Sequence, residues 1–490
     1  AAPTEAPAGP KAGGTLVFAR ASEAQGLDPH LQTAFSSFVV LEFIFESLFA
    51  YGDNMELEPR LAESYEWSDD GLTLTVKLRP NVKFHNGDDM TAEDVKFSYE
   101  RILNEETGAA ARSYFTSITE INVIDPLTVE FKLDKADATI LSAMVNADIL
   151  DKKLIEGGAD PATEVVGTGP FMLEEWQPDK VLMLAKNPNY WMPGLPLLDK
   201  IEMRVIPDEA AILAAMRAGE VDFAQFNDPT IALTAEQSGG DVQLLRQPAL
   251  AYHVLQLNPA RDIFKDERVR NAISCALDRQ QVIDSAALGE GKVTPPITNP
   301  FFAAPLDELN CYKPDLEKAK QLLADAGVSD LSFTIMAASD EPPTAVAEAQ
   351  SIQAQLAEIG VTVEIEVLEL GVYVQRWLDA DFDATVALNG GGAEPALEMG
   401  RYWEHGGTFT DVSNWQTDEI DALLKEARVE TDQNKRKELY LEVQKQLAAA
   451  SPWVWMYVGY DYRAVQPWVK DFVFPPNGAN IHLREAWLDK

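Results

Sequence analysis

The chain has 490 residues, with 79 Asp and Glu against 40 Lys and Arg, and a formal net charge of −39 at pH 7. This excess of negative charge excludes nucleic acids and anionic membranes as binding partners, because both are polyanions that such a surface repels. Hydrophobic residues make up 46% of the chain, which excludes a disordered protein. Because a single core serves at most about 250 residues, we expect two lobes.

The first twelve residues are rich in Pro and Ala and predict a semi-rigid tether ahead of a fold that begins near Gly13. Such a segment is typical of a mature N-terminus from which a signal peptide has been removed. The longest uncharged apolar stretch, around Leu447 to Tyr460, contains Pro452 and falls short of the ~20 residues of a membrane span.

Apolar and polar residues alternate from Leu72 to Leu78 and from Leu127 to Leu133, which predicts short strands in the region 55–135. The turn sequence Asp69-Asp-Gly71 between such patterns indicates a mixed, partly antiparallel subdomain. Thr91-Ala-Glu-Asp94 is a capping-box sequence and predicts the start of a helix.

Helical and strand patterns alternate through most of the chain, which indicates the α/β class. A helix is expected over 208–219. The pattern between 316 and 367 predicts helix, strand, helix and strand in succession. Its two strands, Leu331 to Ile335 and Val361 to Val367, should be parallel and joined by a right-handed crossover. Two amphipathic helices are expected between 417 and 449.

The residues offer little support for catalysis or for a bound metal. The chain contains no G-x-S-x-G elbow, no H-E-x-x-H helix and no phosphate-binding G-x-x-x-x-G-K-[ST] loop,. The five His residues are scattered without ligand spacing. We therefore expect a protein that is not an enzyme and that has no cofactor and no metal site. The two cysteines, Cys275 and Cys311, leave a disulfide and two free thiols both open.

A series of short motifs resembles the oligopeptide/dipeptide/nickel family of extracytoplasmic solute-binding proteins that feed ABC importers. The resemblance runs from about residue 13 to the C-terminus, and each motif is weak alone, but their joint order is specific. The motifs are Leu27-Asp-Pro29, Leu61 to Trp67, Asp70 to Gly87, Met90 to Arg101, Val166-Gly-Thr-Gly-Pro-Phe171, Asn187-Pro-Asn-Tyr-Trp191, Gly219-Glu-Val-Asp-Phe223, Val269-Arg-Asn-Ala-Ile273 and Leu277-Asp-Arg279.

The resemblance implies an α/β, two-lobed periplasmic-binding-protein (Venus flytrap) fold that closes over a ligand, with an extra subdomain inserted in lobe I. The implied boundaries, after a tether of residues 1–12, are 13–45, 165–248 and 466–490 for the core of lobe I, 46–164 for the inserted subdomain and 249–465 for lobe II.

In peptide-binding members, lobe II carries an aspartate that pairs with the ligand's α-amine. The comparable stretch here is Leu388 to Pro395, and Gly391 occupies the aspartate position. Because a desolvated ammonium needs a charged partner, either Glu394 takes this role or the ligand lacks a free amine. Asn389 and Gly390 are further candidates for ligand contact. The alternative is a Gly-rich turn without a ligand role.

Tryptophans in lobe II provide the basis for a second hypothesis, because an indole face can hold a neutral sugar. Trp403 is the best candidate, with Arg401 and His405 as neighbours that can hydrogen-bond a hydroxyl or a carboxylate. Trp455 is a further candidate. The alternative is that these tryptophans lie in the core.

Two segments of lobe I match loops that usually face the ligand in this family, although packing between the lobes is the alternative. They contain Phe35, Ser36 and Phe38, and Gln225 and Asn227.

The sequence thus predicts a monomeric binding protein that delivers a short peptide or peptide-like solute to an ABC permease in the membrane, without nucleic acid. An oligosaccharide ligand is the closest alternative, and a secreted hydrolase or a periplasmic chaperone or sensor are alternatives of another class. The expected location is the periplasm or the extracellular face of the cytoplasmic membrane, with anchoring through a removed, lipid-modified N-terminal cysteine left open.

Overall fold

A computed structural model of the chain describes residues 9–32, 34–53, 55–237, 242–339, 342–407, 409–430 and 432–490. Most of the predicted tether lies outside these residues. The chain forms two compact units, which we call unit 1 (Ala1–Gln247 with Asp461–Lys490) and unit 2 (Pro248–Tyr460). The sequence predicts lobe II over 249–465, and unit 2 of the structure runs from Pro248 to Tyr460.

The described residues form fifteen α-helices in addition to short 3₁₀ turns. The helices are α1 (Phe35–Ile44), α2 (Ala92–Leu103), α3 (Ile140–Ala143), α4 (Lys152–Glu156), α5 (Glu209–Arg217), α6 (Pro229–Gln237), α7 (Glu267–Ala276), α8 (Arg279–Ala286), α9 (Leu316–Asp325), α10 (Ala345–Ala357), α11 (Leu370–Leu378), α12 (Pro395–Trp403), α13 (Thr410–Ser413), α14 (Asp418–Val429) and α15 (Gln433–Ala450).

The same residues form nineteen strands, so the predicted α/β class is confirmed. The strands are β1 (Thr15–Arg20), β2 (Phe49–Tyr51), β3 (Leu57–Pro59), β4 (Ala62–Trp67), β5 (Thr73–Leu78), β6 (Ile118–Asp125), β7 (Thr128–Leu133), β8 (Phe171–Gln177), β9 (Val181–Lys186), β10 (Lys200–Val205), β11 (Phe223–Phe226), β12 (Gln243–Leu257), β13 (Lys292–Val293), β14 (Ser332–Ala338), β15 (Thr362–Leu368), β16 (Ala384–Asn389), β17 (Trp453–Val465), β18 (Val469–Lys470) and β19 (Trp487–Leu488).

Unit 1 is built on a mixed sheet with the order β8-β9-β10-β1-β11. In this sheet β1 is parallel to both β10 and β11. Leu16 and Phe18 of β1 lie in its core, where burying each such side chain contributes roughly 1.5–3 kcal/mol,. The segments after β1 and after β11 therefore leave the sheet at the same edge.

A second sheet in unit 1, with the order β4-β5-β7-β6, occupies the region of the predicted inserted subdomain. All its pairings are antiparallel, in agreement with the alternating pattern. Helix α2 begins at the predicted capping box, in which the Thr91 backbone N–H donates to Asp94 Oδ2 at 2.8 Å.

Unit 2 contains the predicted βαβ arrangement, because β14 and β15 are parallel and α10 connects them. β16 is also parallel to β14, whereas β12 pairs antiparallel with β16. The carboxyl ends of three parallel strands thus share one edge. Cys275 and Cys311 form a disulfide within this unit, which selects one of the two alternatives that the sequence leaves open.

Candidate functional site

The carboxyl ends of β14, β15 and β16 define the edge of unit 2 at which open α/β sheets usually bind ligands. β16 ends at Asn389, and the glycine loop 390–392 follows it directly. Asn389 itself is buried, and its Oδ1 accepts a hydrogen bond from Gln256 Nε2 at 3.3 Å. Its amide is therefore held by a neighbouring strand of the same unit.

Gly391 lies against the backbone of β12, close to the carbonyl oxygen of Leu250. A Cβ placed on Gly391 would lie 1.9 Å from Leu250 O and 2.6 Å from Thr298 Oγ1, whereas one on Gly390 would meet no atom within 4 Å. Position 391 therefore requires glycine because of the close backbone approach, and an aspartate there has no room for its side chain.

Glu394 has a structural role, contrary to the hypothesis that it pairs with a ligand amine. It caps α12 by accepting a hydrogen bond from the Ala396 N–H at 3.1 Å. The same oxygen, Oε1, accepts hydrogen bonds from Arg436 Nη2 at 2.5 Å and from Tyr440 Oη at 2.9 Å. Because Glu394 is 5% exposed, its charge is satisfied inside unit 2 and is not offered to a solute.

Trp403 and Trp455 lie in the core rather than at an open surface. Their exposed fractions are 0% and 1%, and their ring centroids are 6.1 Å apart. Trp453 packs against both, with its ring centroid 4.8 Å from that of Trp403 and 6.0 Å from that of Trp455. The expectation that either indole presents a face to a sugar is therefore not met, because other aromatic rings cover both.

Arg401 and His405 are close in sequence, but their side chains pair with different carboxylates. The Arg401 guanidinium forms an ion pair with Glu398, and Glu398 lies beside the glycine loop, because a Cβ on Gly392 would be 2.8 Å from its Cγ. Burial raises the pKa of Glu398 in spite of this ion pair. His405 instead lies at the surface, with Nε2 3.0 Å from Asp418 Oδ1.

The predicted residues of unit 1 follow β1 and β11, two parallel neighbours. Phe35 begins α1 and is 78% exposed, and Phe38 is 42% exposed. The Ser36 carbonyl accepts a hydrogen bond from Arg20 Nη1. Such exposed aromatic rings on a helix tied to the end of a strand are available for contact with a solute.

Gln225 and Asn227 lie at the end of β11. The Asn227 side chain donates to Glu209 Oε1 at 3.1 Å and accepts from Gln225 Nε2 at 3.5 Å. Burial raises the pKa of Glu209, against the effect of these hydrogen bonds. These amides form a fixed polar surface at the same edge of the unit 1 sheet as the segment that contains Phe35.

A polar cluster that the sequence did not predict lies at the same edge of unit 2. His253 on β12 pairs in register with Leu388 on β16, and its Nδ1 lies 2.8 Å from Glu348 Oε1. Tyr457 Oη donates to the same oxygen at 2.8 Å. The available signal was a single His within the apolar strand pattern 252–257.

Among the described residues, no group of three or more His, Cys, Asp and Glu side chains is arranged to hold a metal ion. No α-helix in that part of the chain has the length and apolar character needed to cross a membrane.

Comparisons with known proteins agree with this architecture. The family model described as "Bacterial extracellular solute-binding proteins, family 5 Middle" matches residues 56–411. The glutathione-binding protein GsiB of Salmonella typhimurium is 29% identical over 462 residues, which cover 90% of this chain and 88% of that protein. The resemblance found in the sequence is therefore confirmed.

Two solved structures share the fold at the level of the whole chain. The ABC transporter-associated periplasmic binding protein DppA of Helicobacter pylori, in complex with the peptide STSA, has a TM-score of 0.82 and 28% identity, over 98% of this chain and 99% of its own. PBP AgaA from A. tumefacien R10, in complex with agropinic acid, has a TM-score of 0.81 and 28% identity, over 97% and 99%. The chain belongs to the bacterial extracellular solute-binding proteins of family 5 and is the solute-binding component of an ABC importer.

Proposed function

We propose that the solute is a short peptide or a peptide-like molecule, which the protein captures unchanged and delivers to a membrane permease. The observation that carries this proposal is the arrangement of open backbone and charged side chains at the edge of unit 2. There Gly392 of the glycine loop lies beside Glu398, which pairs with Arg401, and His253 pairs in register with Leu388 just before the loop. Backbone amides and charged side chains suit the amides and charged ends of a peptide.

Similarity to proteins named for glutathione and peptide binding supports this ligand class. The oligosaccharide alternative has less support, because the two tryptophans named as its candidates, Trp403 and Trp455, are buried. Sugar binding of the expected kind needs an exposed indole face.

Binding of the proposed solute does not require a free α-amine. Gly391 has no side chain to pair with an ammonium, and Glu394 is already engaged by Arg436 and Tyr440. Since an unpaired buried charge costs several kcal/mol, a ligand with a neutral or blocked amino end fits this loop better than one with a free amine.

A thermal-shift panel tests the proposal directly. The panel contains di- to pentapeptides, their N-acetylated and C-amidated forms, glutathione, agropinic acid and cello-, xylo- and manno-oligosaccharides. A ligand at 100 times its Kd stabilises the folded state by about 2.7 kcal/mol. We expect stabilisation by peptides, including acetylated ones, and recovery of the intact ligand in native mass spectrometry. Stabilisation by sugars alone would contradict the peptide assignment, and cleavage of the ligand would contradict binding without chemistry.

The proposal also assigns contact with the solute to the accessible residues predicted in unit 1. We expect Phe35→Ala and Gln225→Ala to weaken binding of the best peptide without changing the melting temperature of the free protein, because Phe35 is highly exposed and Gln225 partly so. Ile124→Ala is a matched control, since Ile124 is an exposed apolar residue of the antiparallel sheet. Monomeric state and lipid anchoring stay predictions.

A further inference from the structure

We propose that His253 recognises a carboxylate of the solute through Nε2, while Glu348 contacts Nδ1 on the other side of the imidazole. This inference rests on the proposed function, because it assigns a chemical group of the solute to a residue at the same edge of unit 2. It names a carboxylate-bearing solute as the ligand class.

The imidazole of His253 is held by two neighbours, Glu348 and Tyr457. Its Nδ1 lies 2.8 Å from Glu348 Oε1, and its ring stacks on that of Tyr457 with the centroids 4.1 Å apart and the planes within 5°. Thr344 Oγ1 donates to the same Glu348 oxygen at 2.5 Å. A ring fixed in this way presents Nε2 in one direction.

The space beside Nε2 is open. A Cβ on Gly459 would lie 3.6 Å from Nε2 and would meet no other atom within 4 Å. Leu388, which faces His253 across the strand pair, is 41% exposed. Within the described ranges, no hydrogen-bond partner of Nε2 is found. A group of the solute can therefore approach this nitrogen.

The electrostatics of the cluster favour an anion at Nε2. Burial alone would raise the pKa of Glu348, but the charge of His253 and hydrogen bonds from His253, Thr344 and Tyr457 lower it below its ordinary value. An imidazole donates from both nitrogens only when both carry a proton, and a carboxylate on each side of the ring, Glu348 and that of the solute, favours this form. A solute carboxylate then accepts from Nε2 in a charge-assisted hydrogen bond.

A cationic group of the solute does not fit this cluster. Glu348 is 1% exposed and lies behind the imidazole, so an ammonium cannot reach it. The other titratable groups around the ring are Tyr457 on β17 and, beyond Glu348, Tyr373 on α11. Burial raises the pKa of Tyr373 to about 12. The cluster therefore contains one fixed negative charge, which the solute does not contact.

The experiment compares each carboxylate-bearing solute that binds with its amide, for example N-acetyl-trialanine and its C-terminal amide, by titration calorimetry. The wild-type protein should prefer the acid. His253→Gln should weaken binding of the acid by about 10- to 100-fold, as expected for a charge-assisted hydrogen bond. The variant should bind the acid and the amide alike.

Two further variants keep the test decisive if His253→Gln folds poorly. Gly459→Val should remove the preference for the acid by filling the space beside Nε2, without touching Glu348. His482→Gln, a matched substitution in unit 1 where Nε2 pairs with Asp53 at 3.0 Å, should have no effect.

The outcomes separate this inference from the proposed function. If a peptide binds but His253→Gln and Gly459→Val keep the preference for the acid, the carboxylate assignment is wrong while the peptide proposal stands. If the only binders are carboxylates that are not peptides and they depend on His253, the inference stands while the peptide proposal fails. If no carboxylate-bearing solute binds, the inference is overturned.

Discussion

Arg436 of α15 binds the carboxylate of Glu394 at the start of α12, with Nη2 2.5 Å from Oε1. Both side chains are buried, and Arg436 also donates to the Ala427 carbonyl at 3.0 Å. The pair therefore joins the loop after β16 to the two helices that pack beside it. Because the Glu394 carboxylate is already paired with Arg436, the loop at the candidate site is held by the protein itself rather than by a ligand.

Removal of this carboxylate should destabilise unit 2. Glu394→Ala leaves Arg436 buried without its charged partner, and we expect the free energy of unfolding to fall by about 3–5 kcal/mol. Urea unfolding followed by tryptophan fluorescence measures the change. Glu426→Ala, at an exposed position on α14, is the control and should have little effect. A loss below 1 kcal/mol for Glu394→Ala would show that the pair contributes little to stability.

An aspartate cannot be restored at position 391 without a cost in stability. We expect Gly391→Asp to lower the free energy of unfolding by about 2–3 kcal/mol or more, as overpacking against a fixed backbone does, because Leu250 O would lie 1.9 Å from the new Cβ. Gly390→Asp is the matched control, since nothing lies within 4 Å of its Cβ position. Equal melting temperatures for the two variants would contradict the steric explanation.

Local sequence patterns were sufficient to predict much of the fold. Helix α9 and strands β14 and β15 follow from apolar periodicity, and Gly327 and Gly360, with φ of 73° and 80°, lie just after helices α9 and α10. These features depend on neighbouring residues and on the conformational freedom of glycine, both of which are visible in the chain.

The candidate site depends on contacts between distant parts of the chain. Glu394 meets Arg436, 42 residues away, and Trp403 is covered by Trp453. The requirement for glycine at position 391 comes from Leu250. Burial of this kind is a property of tertiary packing, so the sequence could place these residues near the site but could not assign them to the core.

The disulfide should stabilise unit 2. Cys275 in α7 and Cys311 are 36 residues apart in sequence, and a cross-link over a loop of this length contributes about 2–4 kcal/mol. We expect dithiothreitol, or Cys275→Ala with Cys311→Ala, to lower protection of unit 2 amides in hydrogen exchange, with unit 1 unchanged. Dithiothreitol should not affect the double variant. An unchanged exchange pattern in the reduced wild-type protein would show that the bond does not contribute to stability.

Glu42 on α1 should make unit 1 less stable as pH rises. Burial raises its pKa from 4.5 to about 7, although hydrogen bonds from Asn480 and Ile481 and the charge of Arg463 oppose the shift. Between pH 4.5 and 7 the unfolded chain has released this proton while the folded protein keeps it. The folded state binds more protons in this window, so its stability declines with increasing pH.

Glu42→Gln isolates this effect, because the amide cannot ionise. The variant should resemble the wild type at pH 4.5 and become the more stable protein by pH 7.5. The gain should be about 1–3 kcal/mol, since each unit of pKa shift corresponds to about 1.4 kcal/mol and partial exposure reduces the effect. Urea unfolding at both pH values provides the comparison, and Glu106→Gln at an exposed site should give a difference independent of pH. A constant difference for Glu42→Gln as well would mean that Glu42 is ionised in the folded protein throughout this range, with Arg463 compensating its charge.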